Sequence, residues 1–166
     1  MPPVSDRYFQ LHAKIEEARK VHDYRAAIRY ARQTYPLLAD FVHECKRQYG
    51  RFDIQSSVAV ETGSILMAVM GDREGIAELR AALSAIPELQ MWMGTAEAAE
   101  KDAAIVDKIL GVVAREPGVI QSDLKKHLAI EDGRRLSTLA QWLEKAGRLR
   151  RGKEGKTYRL FPSSGG

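Results

Sequence analysis

The spacing of apolar residues is the feature that most restricts the fold of this chain. From Asp6 to about Met93, apolar side chains recur every three or four residues, which places them on one face of an α-helix. The alternation of apolar and polar residues that marks a β-strand never extends beyond a few positions here. This part of the chain is therefore predicted to be entirely helical.

Proline and glycine divide the helical pattern into separate helices. Pro36 suits the first turn of a helix, while Gly50 and Gly71 end the helices before them. The predicted helices span residues 5–21, 24–34, 36–48, 54–70 and 73–85. Short connections between successive helices predict stacked helical hairpins.

Two segments of this half resemble tetratricopeptide repeats: DYRAAIRYA at residues 23–31, and GDREGIAELRAAL at residues 71–83, followed by Pro87. Ala27 and Ala77 occupy the positions where small residues let the paired helices of such repeats approach closely. The resemblance implies a concave surface that binds a partner. The two segments lie about 48 residues apart, and a stable solenoid needs about three repeats, so a compact helical bundle stays open as a second interpretation.

Three large apolar side chains follow one another at Met91, Trp92 and Met93. Successive residues point in different directions, so the three cannot all face one core. Two interpretations stay open: an exposed contact surface, or packing beneath the following helix.

Charge separates the last third of the chain from the rest. Residues 1–102 carry a net charge of −2 and residues 103–166 a net charge of +6, within a total of +4. This asymmetry predicts a near-neutral module joined to a basic module that meets an anion. The predicted domains are a helical domain at 1–94, a second domain with its connecting helix at 95–162, and a flexible tail at 163–166.

The basic third shows a mixed pattern of elements. Thr95 is the expected N-cap of a helix that ends before Pro117, and the apolar pair Val119 and Ile120 predicts a short strand. QSDLKKHLA predicts a short helix, and Asp132 is the expected cap of a longer one. RLRR and KTYRLF then flank the predicted four-residue loop GKEG, which indicates a β-hairpin.

This order of elements resembles the winged helix-turn-helix family over residues 103–162. The segments that carry the resemblance are PGVIQSDLKKHL, LSTLAQWLEKAGRLRR and KTYRLFP. In that family the longer helix enters the major groove of DNA, and the hairpin, or wing, touches the backbone or the minor groove. The expected fold class is mostly α: an N-terminal helical bundle or helical-hairpin repeat domain, followed by an α+β winged-helix domain.

The resemblance implies DNA contacts from three places: the short helix, the longer helix and the wing. The residues are Gln121, Ser122, Lys125 and Lys126 on the short helix, Arg134, Arg135, Ser137, Thr138 and Gln141 on the longer helix, and Arg150, Arg151, Lys153 and Lys156 on the wing. Their chemistry fits, because Arg donates two bonds to guanine, Ser, Thr and Gln donate or accept, and Lys neutralises phosphate.

Other chemistry finds little support in the sequence. GKEGKT ends like a phosphate-binding loop, but Arg150 stands where the first glycine is required, and the segment joins two predicted strands. The four histidines form no metal-binding pair, and the single cysteine, Cys45, supplies no Cys-rich site. We expect no catalysis, no metal and no cofactor.

The expected function is DNA binding, by a transcriptional regulator or a DNA-associated accessory factor. The partner would be double-stranded DNA, with the helical half forming a homodimer or binding a protein. The lone cysteine, and the lack of a leader or a long apolar run, predict a cytoplasmic protein without a membrane partner, nucleoid-associated if prokaryotic. The alternative is a non-enzymatic interaction scaffold, because helical repeats followed by a winged helix also resemble the PCI scaffold of large complexes.

Overall fold

The structure, a computed structural model, describes residues 3–50 and 58–163. It is mostly α-helical and ends in a small three-stranded antiparallel sheet, which confirms the predicted class of a mostly α chain with a C-terminal α+β part. The helices are α1 Val4–Lys20, α2 Tyr24–Thr34, α3 Leu38–Tyr49, α4 Val58–Met70, α5 Arg73–Leu83, α6 Met93–Arg115, α7 Leu124–Leu128 and α8 Gly133–Lys145; the strands are β1 Val119–Ile120, β2 Leu149–Glu154 and β3 Thr157–Pro162. None of the described helices is both long and apolar enough to cross a membrane.

The chain divides into two compact units. The first consists of Met1–Ala68 and Asp72–Glu100, and the second of Val69–Gly71 and Lys101–Gly166. The division falls inside α6. Thr95 is not the N-cap of this helix, as the sequence predicted, because the 3₁₀ helix that starts at Pro87 continues directly into α6 at Met93.

In the first unit, α1 packs against α2 and α3, and α5 contacts both α2 and α3. Tyr8 of α1 stacks on Phe41 of α3, with ring centroids 4.1 Å apart. Ala27 is fully buried, as a close helix contact requires. Ala77 is exposed, so the close approach predicted there is wrong; Gly75 is the small residue on α5 that faces α4, where an added Cβ would lie 2.5 Å from Met67 Sδ.

The N-termini of helices in the first unit are capped in two ways. Asp23 and Asp72 cap α2 and α5 with their own carboxylates, which accept the backbone N–H of the third residue that follows. α1 has no such cap. Glu44 of α3 replaces it, accepting from Val4 N at 3.1 Å and from Ser5 Oγ at 2.5 Å.

Three sequence predictions for this unit need comment. The helix expected from residue 36 begins as a 3₁₀ turn, Tyr35–Leu37, before α3. Residues 54–57 of the fourth predicted helix lie outside the described residues. In the run of large apolar residues, Trp92 is only 4% exposed whereas Met91 is 60% exposed, so one side chain packs inward and its neighbour faces solvent.

The second unit contains the predicted elements in the predicted order. Its core includes Val106, Ile109, Leu139, Leu143 and Leu160, and its sheet has the order β1-β3-β2. The predicted four-residue hairpin loop is wrong. Glu154 pairs with Thr157, which leaves a two-residue turn, and the positive φ of Gly155, 61°, is what a type II′ turn requires at its first position.

Candidate nucleic-acid interface

The longer helix of the second unit, α8, is amphipathic. Leu136, Leu139 and Leu143 bury one face, and Asp132 caps the helix by accepting from Arg135 N at 3.0 Å, as predicted. The opposite face carries four exposed polar side chains spaced by four, three and four residues, which places them on one line along the helix. This α8 stripe consists of Arg134, Thr138, Gln141 and Lys145.

Lys145 did not appear among the sequence-predicted contacts. It lies one turn beyond Gln141, so the helical spacing itself contains the signal for it. Its ammonium group is 5.5 Å from the centroid of the Trp142 ring, and its side chain extends the polar face to the last residue of α8.

Arg135 does not lie on the stripe. Its guanidinium pairs with Asp102 of α6, through Nε at 2.8 Å from Oδ1 and through a second bond from Nη2 to Oδ2. The Asp102 side chain is only 7% exposed. Arg134 and Arg135 were both predicted to lie near base edges or phosphates, but neighbouring residues of a helix point about 100° apart. Arg134 is exposed, whereas Arg135 is held by Asp102.

A groove of about 250 Å³ lies beside the stripe. Its walls come from the short 3₁₀ helix at Gln121–Asp123, from the start of α7 and α8, and from the turn of the hairpin. Five of the predicted DNA-contact residues line it: Gln121, Ser122, Lys125, Ser137 and Lys156. Side chains up to 35 positions apart in the chain are thus gathered around one concave surface.

Hydrogen bonds connect this groove with the stripe. Ser137 Oγ accepts from Gln121 Nε2 at 3.2 Å and from Gln141 Nε2 at 3.4 Å. Gln121 Oε1 in turn accepts from Arg151 Nη1 at 3.3 Å. Polar side chains of three separate segments therefore form one network.

The hairpin does not present its four predicted cations as a single patch. Arg150 pairs across the sheet with Phe161, and its guanidinium lies 5.4 Å from the centre of that ring. Arg151 and Lys153 are one and three positions further along, so they lie on the opposite face of the strand from Arg150. Lys153 and Lys156, near the turn, are exposed, whereas the Arg151 side chain is only 13% exposed.

Several cations of the second unit remain available to an anion. Each is exposed and forms no ion pair with the residues that the structure describes. Those of α7, α8 and the hairpin include Lys125, Lys126, Arg134, Lys153 and Lys156. By contrast, Arg159 is paired with Glu154 and Arg151 with Glu144.

Across residues 3–50 and 58–163, no group of three or more His, Cys, Asp or Glu side chains is arranged to hold a metal ion. Comparison of the chain with protein-family models, with curated proteins and with solved structures gives no match.

Proposed function

We propose that this chain binds double-stranded DNA and that its second unit is a winged helix-turn-helix domain. The main support is one juxtaposition: the exposed α8 stripe runs beside a groove lined by Lys125 and Lys156. A helix with an outward polar stripe fits the major groove, which is about 12 Å wide. Cations on either side of such a helix are suited to the phosphates that border the groove.

Each part of this surface has a distinct role in the proposal. Arg134 and Gln141 face base edges, where Arg suits guanine and Gln suits adenine. Lys125, Lys153 and Lys156 neutralise phosphates, which supplies affinity that depends on salt but not on sequence. Thr138 has a methyl group and a hydroxyl that can contact either a thymine methyl or a phosphate.

The first unit is proposed to bring two copies of the chain together or to bind a protein partner. One recognition helix covers a small site, and proteins that read DNA with such a helix commonly do so as dimers on two half-sites one helical turn apart. The chain would then serve as a cytoplasmic transcriptional regulator or DNA-associated accessory factor.

A gel-shift titration with duplex and single-stranded DNA of random sequence tests the proposal. The wild-type chain is expected to shift the duplex at low salt, and to shift the single strand more weakly. A K125A/K156A variant is expected to lose affinity for the duplex. The matched control is K14A/K20A, which removes two cations from α1 in the first unit and leaves the groove unchanged.

Absence of any duplex shift at low salt would overturn the proposal. Co-purification of the tagged chain then becomes the informative experiment. A stable protein partner without nucleic acid would favour the interaction scaffold instead.

A further inference from the structure

Arg151 differs from every other predicted cation of the hairpin in how completely its guanidinium is engaged. Its side chain is 13% exposed, while Arg150, Lys153 and Lys156 are exposed. A buried guanidinium is retained only where its donors find partners.

Those partners come from three different segments. Arg151 Nε donates to Glu144 Oε1 at 3.1 Å, near the end of α8. Nη1 donates to Gln121 Oε1 at 3.3 Å, in the 3₁₀ helix before α7. The guanidinium plane also lies over the Tyr158 ring of β3, 4.2 Å from its centroid.

The geometry requires arginine rather than positive charge alone. A guanidinium is planar, with donors fixed in a fork, so it can serve two acceptors while it stacks on an aromatic ring. A lysine ammonium keeps the charge but has neither the fork nor the flat face.

Arg151 is also connected to the α8 stripe by a chain of hydrogen bonds. Gln121 accepts from Arg151 with its Oε1 and donates to Ser137 with its Nε2. Ser137 in turn accepts from Gln141 of the stripe. The orientation of Gln141, which faces a base edge in the proposal, therefore depends on where Arg151 holds the amide of Gln121.

We infer that Arg151 is a positioning residue: it fixes the hairpin against α8 and the 3₁₀ helix, and it contacts no phosphate. This inference rests on the proposed DNA binding for its effect on affinity. The effect of Arg151 on the hairpin does not depend on DNA binding.

The first test exchanges arginine for lysine at Arg151 and, as a control, at an exposed arginine outside the proposed DNA contacts. Arg151→Lys keeps the charge, so a phosphate contact would be largely preserved. The contacts of the guanidinium with Glu144, Gln121 and Tyr158 would be lost. We expect duplex affinity to fall about tenfold, the factor that corresponds to one lost charge-assisted hydrogen bond. Arg115→Lys, at an exposed residue of the same unit that is not among the proposed DNA contacts, is the control and should stay within about twofold of wild type, as exposed substitutions usually do.

The second test predicts opposite changes in duplex affinity for the two possible roles of Arg151, phosphate contact and positioning. Glu144→Ala removes a negative charge from α8 and introduces the best helix former. If Arg151 only attracts phosphate, this variant should bind duplex DNA as tightly as wild type or more tightly. If Glu144 holds Arg151 in place, the variant should bind more weakly, although the protein has become more basic.

Amide hydrogen exchange of the same variants separates the two proposals. Arg151→Lys is expected to speed exchange in β2 and β3 relative to Arg115→Lys, with α1 to α3 unchanged. If the wild-type chain binds no duplex, the proposed function fails, and the exchange rates still decide whether Arg151 holds the hairpin. Equal affinity and equal exchange for Arg151→Lys and Arg115→Lys would overturn the inference.

Discussion

Arg135 of α8 and Asp102 of α6 form an ion pair through two hydrogen bonds, and the Asp102 carboxylate is almost completely buried. A carboxylate removed from water is costly unless a cation and hydrogen bonds compensate it. Arg135, predicted from the sequence to touch DNA, thus has a structural partner 33 positions earlier in the chain.

Replacing Arg135 is expected to destabilise the second unit. Arg135→Ala leaves the Asp102 carboxylate buried without its cation, which should lower the free energy of unfolding by about 2–4 kcal/mol. Adding Asp102→Asn removes the stranded charge, so the double variant should be more stable than Arg135→Ala alone. Urea unfolding of the three proteins measures this, and an Arg135→Ala variant as stable as wild type would show that the pair contributes nothing.

Glu44 predicts a specific loss of stability in acid. Its pKa is lowered from the ordinary 4.5, chiefly by the hydrogen bond from Ser5 Oγ and further by backbone bonds from Ser5 and Val4. Because the folded pKa lies below the unfolded one, this stabilisation is complete above about pH 4.5 and is lost as the pH falls through the folded pKa.

A neutral side chain at position 44 should remove this dependence of stability on pH. Glu44→Gln should have a lower Tm than wild type near pH 6, and the difference should shrink towards about pH 3. Thermal unfolding followed by circular dichroism at both pH values measures the two differences. A gap that stays constant with pH would contradict the role of the carboxylate as the cap of α1.

Gly63 predicts a substitution whose effect opposes helix propensity. It lies in α4, where an added Cβ would come 2.9 Å from Ala31 Cβ and 3.0 Å from Tyr35 Oη. Gly63→Ala should therefore lower the free energy of unfolding by about 1–3 kcal/mol through overpacking. Gly94→Ala, where no described residue outside its own stretch of helix comes within 4 Å of the new Cβ, should be neutral or stabilising by up to about 1 kcal/mol. Equal effects in chemical denaturation would mean that the α2 contact at Gly63 is not tight.

Gln141 and Lys145, two successive residues of the α8 stripe, should differ in how they affect DNA binding. Gln141→Ala should weaken preference for adenine at one position of the site, by about 1–3 kcal/mol. Lys145→Ala should instead weaken binding equally for all DNA sequences, because a phosphate contact carries no sequence information. Competition binding on a panel of single-base variants of a selected duplex measures both. A uniform loss for Gln141→Ala would remove it from base recognition.

The local elements were largely predictable from the sequence. α2 spans the predicted residues, Tyr24–Thr34, because a capping aspartate precedes it and a proline follows it. The spacing of Leu136, Leu139 and Leu143 likewise predicted which face of α8 would be buried. Such signals lie within one or two turns of the residue concerned.

The contacts that join distant segments were not predictable in the same way. Glu44 caps α1 from 40 positions away, and Arg151 contacts Gln121 across 30 positions. Neither pairing leaves a periodic trace in the sequence. The same limit applies to the candidate site. The residue types in the sequence identified its cations and amides. Only the fold shows that Arg134 is exposed whereas Arg135 and Arg151 form ion pairs.

Salt dependence of duplex binding by wild type and by a K153A/K156A variant tests the central proposal most directly. Both lysines are exposed near the hairpin turn. If each contacts a phosphate, the slope of log affinity against log salt should flatten by about 0.9 per lysine removed. The control K14A/K20A should leave the slope unchanged. An unchanged slope for K153A/K156A, or no duplex binding by wild type at low salt, would contradict a DNA-binding role for this surface.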